Sequence, residues 1–374
     1  MPGSSDVRHV LEQSGRFSIQ AEIPEGANAF SFRAHDNLLK RDVFLKAIYY
    51  REEAASKLLR EPRVLVQATE CIPKPENLVQ VFGAEIIDVG GEQYLCLQME
   101  CIEGSSLLSA LTEDVIGQLD ALRIARGILY GLSRLHFCRI LHRDLKPANI
   151  LLSGVIPKIA DFGSAVVLPE GASAVPASRH SALYVPPEGW GAEPYYSMAS
   201  DIYQVGMVLY EMVNGPLEYE LRHYLTPKVL RELRSANGDY EALNDCDKSQ
   251  LADKGIAQLS SGGDLLLHGR PPRPYYSSKL RRLVNTAIKP NPDQRFASAA
   301  EFISKLNQLD IPNWRPSTEA NFIAENWRGW DWSVSLEKDG VNVRKARCAT
   351  TKFRRISNGV FPSLADAFSC IEDQ

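Results

Sequence analysis

Most of what would send this chain to a special environment is missing from it. No apolar run among its 374 residues approaches the roughly 20 residues that a membrane-spanning helix needs. The seven cysteines, Cys71, Cys96, Cys101, Cys138, Cys246, Cys348 and Cys370, are odd in number, scattered, and nowhere arranged as C-x-x-C. That argues against a disulfide framework or a cysteine zinc site and for reduced thiols in a cytoplasmic setting. The opening MPGSSDVRHVLEQSGR has no basic-then-apolar leader pattern. No charge of one sign is in excess: 42 Lys and Arg stand against 46 Asp and Glu, a net charge of -4. Composition thus makes no global case for nucleic-acid or membrane binding. Internal repeats and low-complexity tracts are absent. With 44% hydrophobic and 24% charged residues, the chain reads as an ordinary globular protein, long enough for one large domain and a small one.

What is present is concentrated between residues 142 and 163, HRDLKPANILLSGVIPKIADFG. Apolar Ile150, Leu151 and Leu152, a turn, and then Ile159 read as a tight hairpin. It brings Asn149, which precedes it, and Asp161, which follows it, to one side of a cleft. DFG alone recurs by chance, but HRDLKPAN followed closely by DFG is a specific signal. On these motifs, residues 17–310 resemble the catalytic domain of eukaryotic-type (Hanks-type) Ser/Thr protein kinases, in a style similar to the soluble bacterial ones. The resemblance runs in order through Lys46 in DVFLK, Glu61 in KLLREPRVL, HRDLKPAN, DFG, Pro186-Pro187-Glu188, Asp201 and Arg295. It implies an α+β, bilobal protein-kinase fold. A small β-rich lobe reaches to about residue 100 and a helical lobe follows, with residues 1–16 as a polar lead-in.

The resemblance also implies ATP between the lobes with magnesium, or manganese in its place. Asp144 would take or orient the proton of the acceptor hydroxyl, and Lys146 would reach the γ-phosphate. Asn149 and Asp161 would hold the metal, and Lys46 the α- and β-phosphates. Glu61 is the best-placed partner for Lys46, with Glu52 and Glu53 as rivals; Pro62 directly after it suggests an interrupted helix. Met99 would be the gatekeeper, and the backbones of Glu100 and Ile102 would bond the adenine edge. Ser181 stands where Ser/Thr kinases keep a hydroxyl that bonds the catalytic Asp and Lys. Together with Lys146 it favours serine or threonine over tyrosine as acceptor. A phosphate on the activation segment, at Ser173 or Ser178, would find Arg143 waiting. Asp201 would tie down the catalytic loop, and Arg295 would pair with Glu188 in the interior.

Two places depart from the family pattern. On a G-x-G-x-x-G frame the glycines become Pro24, Gly26 and Ala29, and the valine over the adenine becomes Ser31. Glycine lets backbone approach phosphate, and Pro24 removes an amide donor. Phe44 stands where an alanine usually packs over the adenine. Strand alternation puts it on the face that carries Lys46, so it should crowd or shift the purine. Two functions therefore stay open: an active Ser/Thr kinase of protein substrates that also labels its own activation segment, and a kinase-fold scaffold with weak or no catalysis.

The remaining segments are less specific. DALRIARGILYGLSRLHFCRI spaces Leu122, Ala125, Ile128, Leu129, Leu132 and Leu135 as one helix face. Residues 214–275 are long and polar, a candidate docking insertion or a plain surface elaboration. After residue 312 the character changes. Trp314, Trp327, Trp330 and Trp332 cluster there, WSVSL, VNVRKA and KFRRI alternate like strands, and SLADAFSCI reads as a capped helix. We expect a small Trp-rich α+β appendage over residues 313–374. Its Arg344, Lys345, Arg347, Lys352, Arg354 and Arg355 come with no intervening acid. Basic plus aromatic is one pattern of nucleic-acid binding. The solvated face of a small sheet carries more weight, because acids elsewhere in the tail nearly cancel the charge.

Overall fold

The segment read as a lead-in is helix α1 (Ser4–Gln13), whose Val7 and Leu11, one turn apart, are buried. The structure is a computed structural model that describes residues 2–23, 29–50, 60–69, 75–113, 116–177, 181–235, 238–318, 321–338, 340–348 and 352–373, without the side chains of residues 60–62, 65 and 357–360. Helix α1 lies on an antiparallel sheet of β1 (Phe17–Ile23), β2 (Ala29–Asp36), β3 (Arg41–Tyr49), β4 (Val81–Val89) and β5 (Glu92–Glu100). The strand order is β1-β2-β3-β5-β4. Alternation along β3 decides which face is which. Val43, Leu45 and Ala47 pack with Val7 and Leu11 on the outer face. Phe44 and Ile48 pack with Leu95, Leu97 and Met99 on the inner one. Each Val or Leu taken wholly out of water contributes about 1.5–3 kcal/mol, so the period of two fixes the register. Helix α2 (Arg60–Thr69) sends Val64 and Ala68 into the core of the next lobe.

That lobe contains α3 (Leu107–Glu113), α4 (Gln118–Phe137), β6 (Ile140–Leu141), the hairpin β7 (Ile150–Ser153) and β8 (Ile156–Ile159), β9 (Val166–Val167), β10 (Ala174–Pro176), β11 (Tyr195–Ser197), α5 (Met198–Asn214), α6 (Pro227–Ser235), α7 (Asp245–Gly262), α8 (Leu265–Gly269), α9 (Ser278–Ala287) and α10 (Ala299–Asn307). Every apolar position read from the spacing of α4 is buried. Gly127 and Gly131 let its backbone touch the hairpin: a Cβ would meet Pro157 Cγ at 2.5 Å and Asn77 O at 2.7 Å. The hairpin, and with it the 142–149 loop, is thereby seated on the helix itself. Helix α5 is buried on every face from Ser200 to Asn214, as a helix through the middle of a core must be. The polar stretch between α5 and α9 folds mostly as α6, α7 and α8.

The tail is a meander of β12 (Arg315–Thr318), β13 (Asn321–Trp327), β14 (Trp330–Glu337), β15 (Gly340–Arg347) and β16 (Arg354–Phe361), hydrogen-bonded in sequence order, followed by α11 (Leu364–Glu372). Ser363 caps α11 by accepting from Asp366 N. Alternation reveals β14, β15 and the start of β16. It hides β13, where the inward positions include Ala324 and a register shift follows before Trp327. Trp314, Trp327 and Trp332 pack with Phe368 and Ile371, and Tyr275 of the helical lobe completes that core. Hydrogen bonds that fasten the tail and the segments beside it include Ser277 Oγ to Glu372 (3.1 Å), Gln118 Nε2 to Tyr275 O (2.9 Å), Leu119 N to Asn313 Oδ1 (2.9 Å) and Arg328 to Asp310 (2.9 Å). Among the described residues no helix is long and apolar enough to cross a membrane.

Candidate active site

The loop between β6 and β7 is held from below by two side chains of α5. Asp201, fully buried, accepts from His142 N (3.0 Å), Arg143 N (2.9 Å) and His136 Nε2 (2.9 Å). Gln204 accepts from Leu145 N (2.9 Å) and donates to Arg143 O and Tyr184 O (3.2 Å each). These bonds hold Arg143 at φ +69°, a conformation a non-glycine residue keeps only where its surroundings impose it. His142 donates through Nε2 to Ala160 O (3.1 Å) and accepts from Asp144 N (3.4 Å). Burial drives its pKa down against the pull of Asp201 and Asp144, so the ring is neutral in that tautomer. Sequence reading anticipated Asp201 but missed Gln204, whose signal is an amide inside a mostly apolar helix.

Above this base the charged groups converge. Lys146 Nζ donates to Asp144 Oδ2 (3.0 Å) and to Ser181 Oγ (2.7 Å). Asn149 Nδ2 donates to Asp144 O (2.8 Å) and Oδ2 (3.1 Å). With its nitrogen committed to Asp144, Oδ1 is the atom that remains to meet a cation. Phe162 is fully buried in the helical core, edge-on to His142 with ring centroids 5.1 Å apart. That leaves Asp161, at φ +56°, facing Lys46, with Oδ1 to Nζ at 3.6 Å. Burial pushes the Asp161 carboxyl up, but the Lys46 ammonium, the Gly163 N–H and Lys146 outweigh it and hold it below the usual range. An ionised carboxylate and an amide oxygen are hard donors suited to magnesium. A magnesium ion shared with phosphates needs only one or two protein carboxylates. Among the described residues no three His, Cys, Asp or Glu converge into an all-protein metal cage.

An apolar slot adjoins the charges. Phe44 lies opposite Met99 across β3 and β5 and packs with Ile102, Leu151 and Ala160, so its ring is on the inner face beside Lys46. Ser31 is buried opposite Lys46 in the β2–β3 register, and Ala29 opens β2. The Glu100 carboxylate is drawn to Lys158 (3.0 Å) and Gln80 N (3.3 Å), and the Glu100 N–H donates to Gln80 O (2.8 Å). Pro24, Gly26, Glu52, Glu53 and Ser178 lie outside the described residues, as does the side chain of Glu61, while Ser173 is exposed. Arg143 donates to Ser164 O (2.7 Å) and Pro176 O (3.2 Å), which ties the loop to the segment after Gly163.

Two buried acids anchor that segment. Glu188 receives both arms of Arg295 at 2.8 and 2.7 Å, plus Ser200 Oγ at 2.7 Å. Glu211, not singled out from sequence, accepts from Tyr184 OH (2.7 Å) and Leu217 N (2.8 Å), and Tyr184 OH is 2.9 Å from Tyr219 OH. Burial pushes the Glu211 carboxyl up to about 7, against those two donors.

The sequence profile of the protein kinase domain matches residues 17–306. The chain is 35% identical over 177 residues to a calcium/calmodulin-dependent protein kinase kinase of Caenorhabditis elegans, covering 45% of this chain and 32% of that protein. It is 30% identical over 311 residues to the probable serine/threonine-protein kinase PknB of Corynebacterium glutamicum, covering 79% and 42%. It is 30% identical over 215 residues to the serine/threonine-protein kinase PrkC of Bacillus subtilis, covering 55% and 32%. The match thus spans less than half the length of each of these relatives.

Proposed function

The chain belongs to the protein kinase family, and from that premise we propose that it transfers the γ-phosphate of ATP to serine or threonine hydroxyls of protein substrates. The observation that carries this reading is Lys146 Nζ bridging Asp144 Oδ2 and Ser181 Oγ. It sets a carboxylate, a cation and an activation-segment hydroxyl around one point. Asp144 orients the acceptor hydroxyl and takes its proton as the oxygen attacks phosphorus. Lys146 meets the charge on the transferred group, and Lys46 meets the phosphates behind it. Magnesium, or manganese, held by Asn149 Oδ1 and Asp161 would neutralise phosphate charge and set the angle of attack. Positioning and charge stabilisation are nearly all that phosphoryl transfer asks of a protein.

Finer assignments rest on the same reading. Glu61 is the partner of Lys46, and Met99 with the backbones of Glu100 and Ile102 receives the adenine. Self-labelling falls on Ser173 or Ser178, and residues 214–275 dock a partner. Residues 17–310 form the catalytic unit, 313–374 an accessory one, and the setting is cytoplasmic. A second reading, a scaffold without transfer, is favoured by one observation: Phe44 packs into the apolar cluster of Met99, Ile102, Leu151 and Ala160, where its ring would crowd a purine. Labelled ATP with magnesium decides between them. Phosphate appearing on the chain or an added protein, and lost in Asp144→Asn, supports transfer. Nucleotide binding without labelling supports the scaffold.

A further inference from the structure

The tail's tryptophans are not all core. Trp314 is fully buried and Trp327 and Trp332 nearly so, but Trp330 is only half-buried. The β14–β15 register sets Trp330 opposite Arg347 and Trp332 opposite Lys345, and the β15–β16 register sets Lys345 opposite Arg354. Residues opposite one another project from the same face of a sheet. Lys345, Arg347 and Arg354 therefore surround one partly open indole. Lys345 Nζ is 4.7 Å from the ring centroid of Trp330, and the Arg347 guanidinium carbon is 5.7 Å away. Arg347, Lys352, Phe353, Arg354 and Arg355 are exposed. Arg344, farther along β15, turns to Glu337 at 2.6 Å. Residues 341–357 contain no acid, so positive charge gathers at the Trp330 end of the sheet although the tail as a whole is nearly neutral.

We propose that this end of the β14–β16 sheet is a docking surface for single-stranded nucleic acid. Charge selects a polyanion, and the aromatic ring selects among polyanions. Unpaired bases can stack on the open part of Trp330 and on the planar Arg347 guanidinium. Lys345 and Arg354 can meet the phosphates. Stacking surface interleaved with cations is the physical recipe for holding a single strand without reading its sequence. An acidic peptide or an anionic lipid surface would use the cations but leaves the tryptophan without a role, and a duplex hides the faces of its bases. The proposal is independent of the catalytic reading.

The test uses the full chain and fluorescence anisotropy with labelled oligo-dT and oligo-rU of about 20 nucleotides, somewhat longer than the roughly 4–16 that one such platform covers. The expected result is binding at about 50 mM salt that weakens toward 200 mM, with a log–log slope of about -0.7 per phosphate contact. Trp330→Ala should weaken binding at least about fivefold, the lower end of one base–aromatic stack, and Trp330→Phe should restore most of it. Arg347→Gln with Arg354→Gln, at exposed sites that cannot empty the core, should flatten the salt slope; this pair carries the test if Trp330→Ala melts early. Absence of binding at the lowest salt would overturn the proposal. So would unchanged affinity in the Arg pair and in a stably folded Trp330→Ala, or competition by polyglutamate or phosphatidylserine vesicles as effective as by unlabelled oligonucleotide.

Discussion

Lys146 Nζ stands 2.7 Å from Ser181 Oγ and 3.0 Å from Asp144 Oδ2, so the segment that carries Ser181 reaches the Asp144 carboxylate through one lysine. The hydroxyl comes from a segment 35 residues away in sequence. Its position therefore reports how that segment is folded, and the loop alone cannot set it.

The first prediction follows from that bridge. Asp144→Asn should remove at least about two decades of transfer rate, the usual worth of a positioned general base, while ATP affinity changes little. Ser181→Ala should cost less rate than Asp144→Asn, because Lys146 keeps its carboxylate partner. Both are read by initial rates alongside nucleotide titration. Loss of ATP affinity equal to the loss of rate in Asp144→Asn would contradict the role assigned to it.

The second concerns Arg295. Its guanidinium is buried, forms a two-pronged pair with Glu188, and donates further to the carbonyls of Lys289, Ala199 and Pro290. Removing one partner of a buried pair leaves the other charged and unanswered, at a cost of about 3–5 kcal/mol. Glu188→Ala and Arg295→Ala should each lower the melting temperature. The double variant should lose less than the two losses added, since the orphaned charge is gone. Additive losses in a thermal melt would argue against the pair.

How much of this was legible in the sequence depends on where the determinants sit. Asp144, Lys146, Asn149 and Asp161 lie on one short stretch of chain, so their convergence could be read from a hairpin and a motif. The seating of that stretch could not. Gly127 and Gly131 matter through atoms of Pro157 and Asn77, far away in sequence, and Gln204 and Glu211 look like stray polar residues until the loop partners they serve are in view. The lead-in, read as polar with a short helix at Val7 to Leu11, folds as the longer α1, of which Val7, Val10 and Leu11 pack on the sheet. In the tail, period-two alternation exposed the strands with large inward residues and hid the one whose inward positions include Ala324.

The third prediction is a pH dependence. Glu211 has a folded pKa near 7 against an ordinary value near 4.5. A group whose folded pKa is raised leaves stability intact below the unfolded pKa and costs stability as pH rises through the folded one. The wild-type protein should therefore lose stability relative to Glu211→Gln between about pH 4.5 and 7, by on the order of 3 kcal/mol. Above that window the difference should be constant. Urea melts of both proteins across the range measure it, and parallel stability curves would place Glu211 in contact with water.

The last prediction is carried by Phe44. Its ring packs against Met99, Ile102, Leu151 and Ala160, which puts it on the inner face, one alternation away from Lys46, whose ammonium lies 3.6 Å from Asp161. The ring and the charged groups thus occupy adjacent parts of one cleft, and Phe44→Ala should change nucleotide affinity without disturbing the carboxylates. Two effects oppose. Opening the slot removes a steric penalty on the purine. Losing the ring removes any stacking on it, worth about 1–3 kcal/mol per base. The ring is already packed in this apolar cluster rather than standing free, and a ring so engaged cannot also lie flat against a purine without leaving it. Steric relief should therefore win, and ATP should bind Phe44→Ala more tightly than wild type. Calorimetric titration with ATP and GTP decides it: weaker ATP binding in the variant would mean that the purine stacks on Phe44, and identical affinities for both nucleotides in both proteins would mean that the purine never reaches the ring.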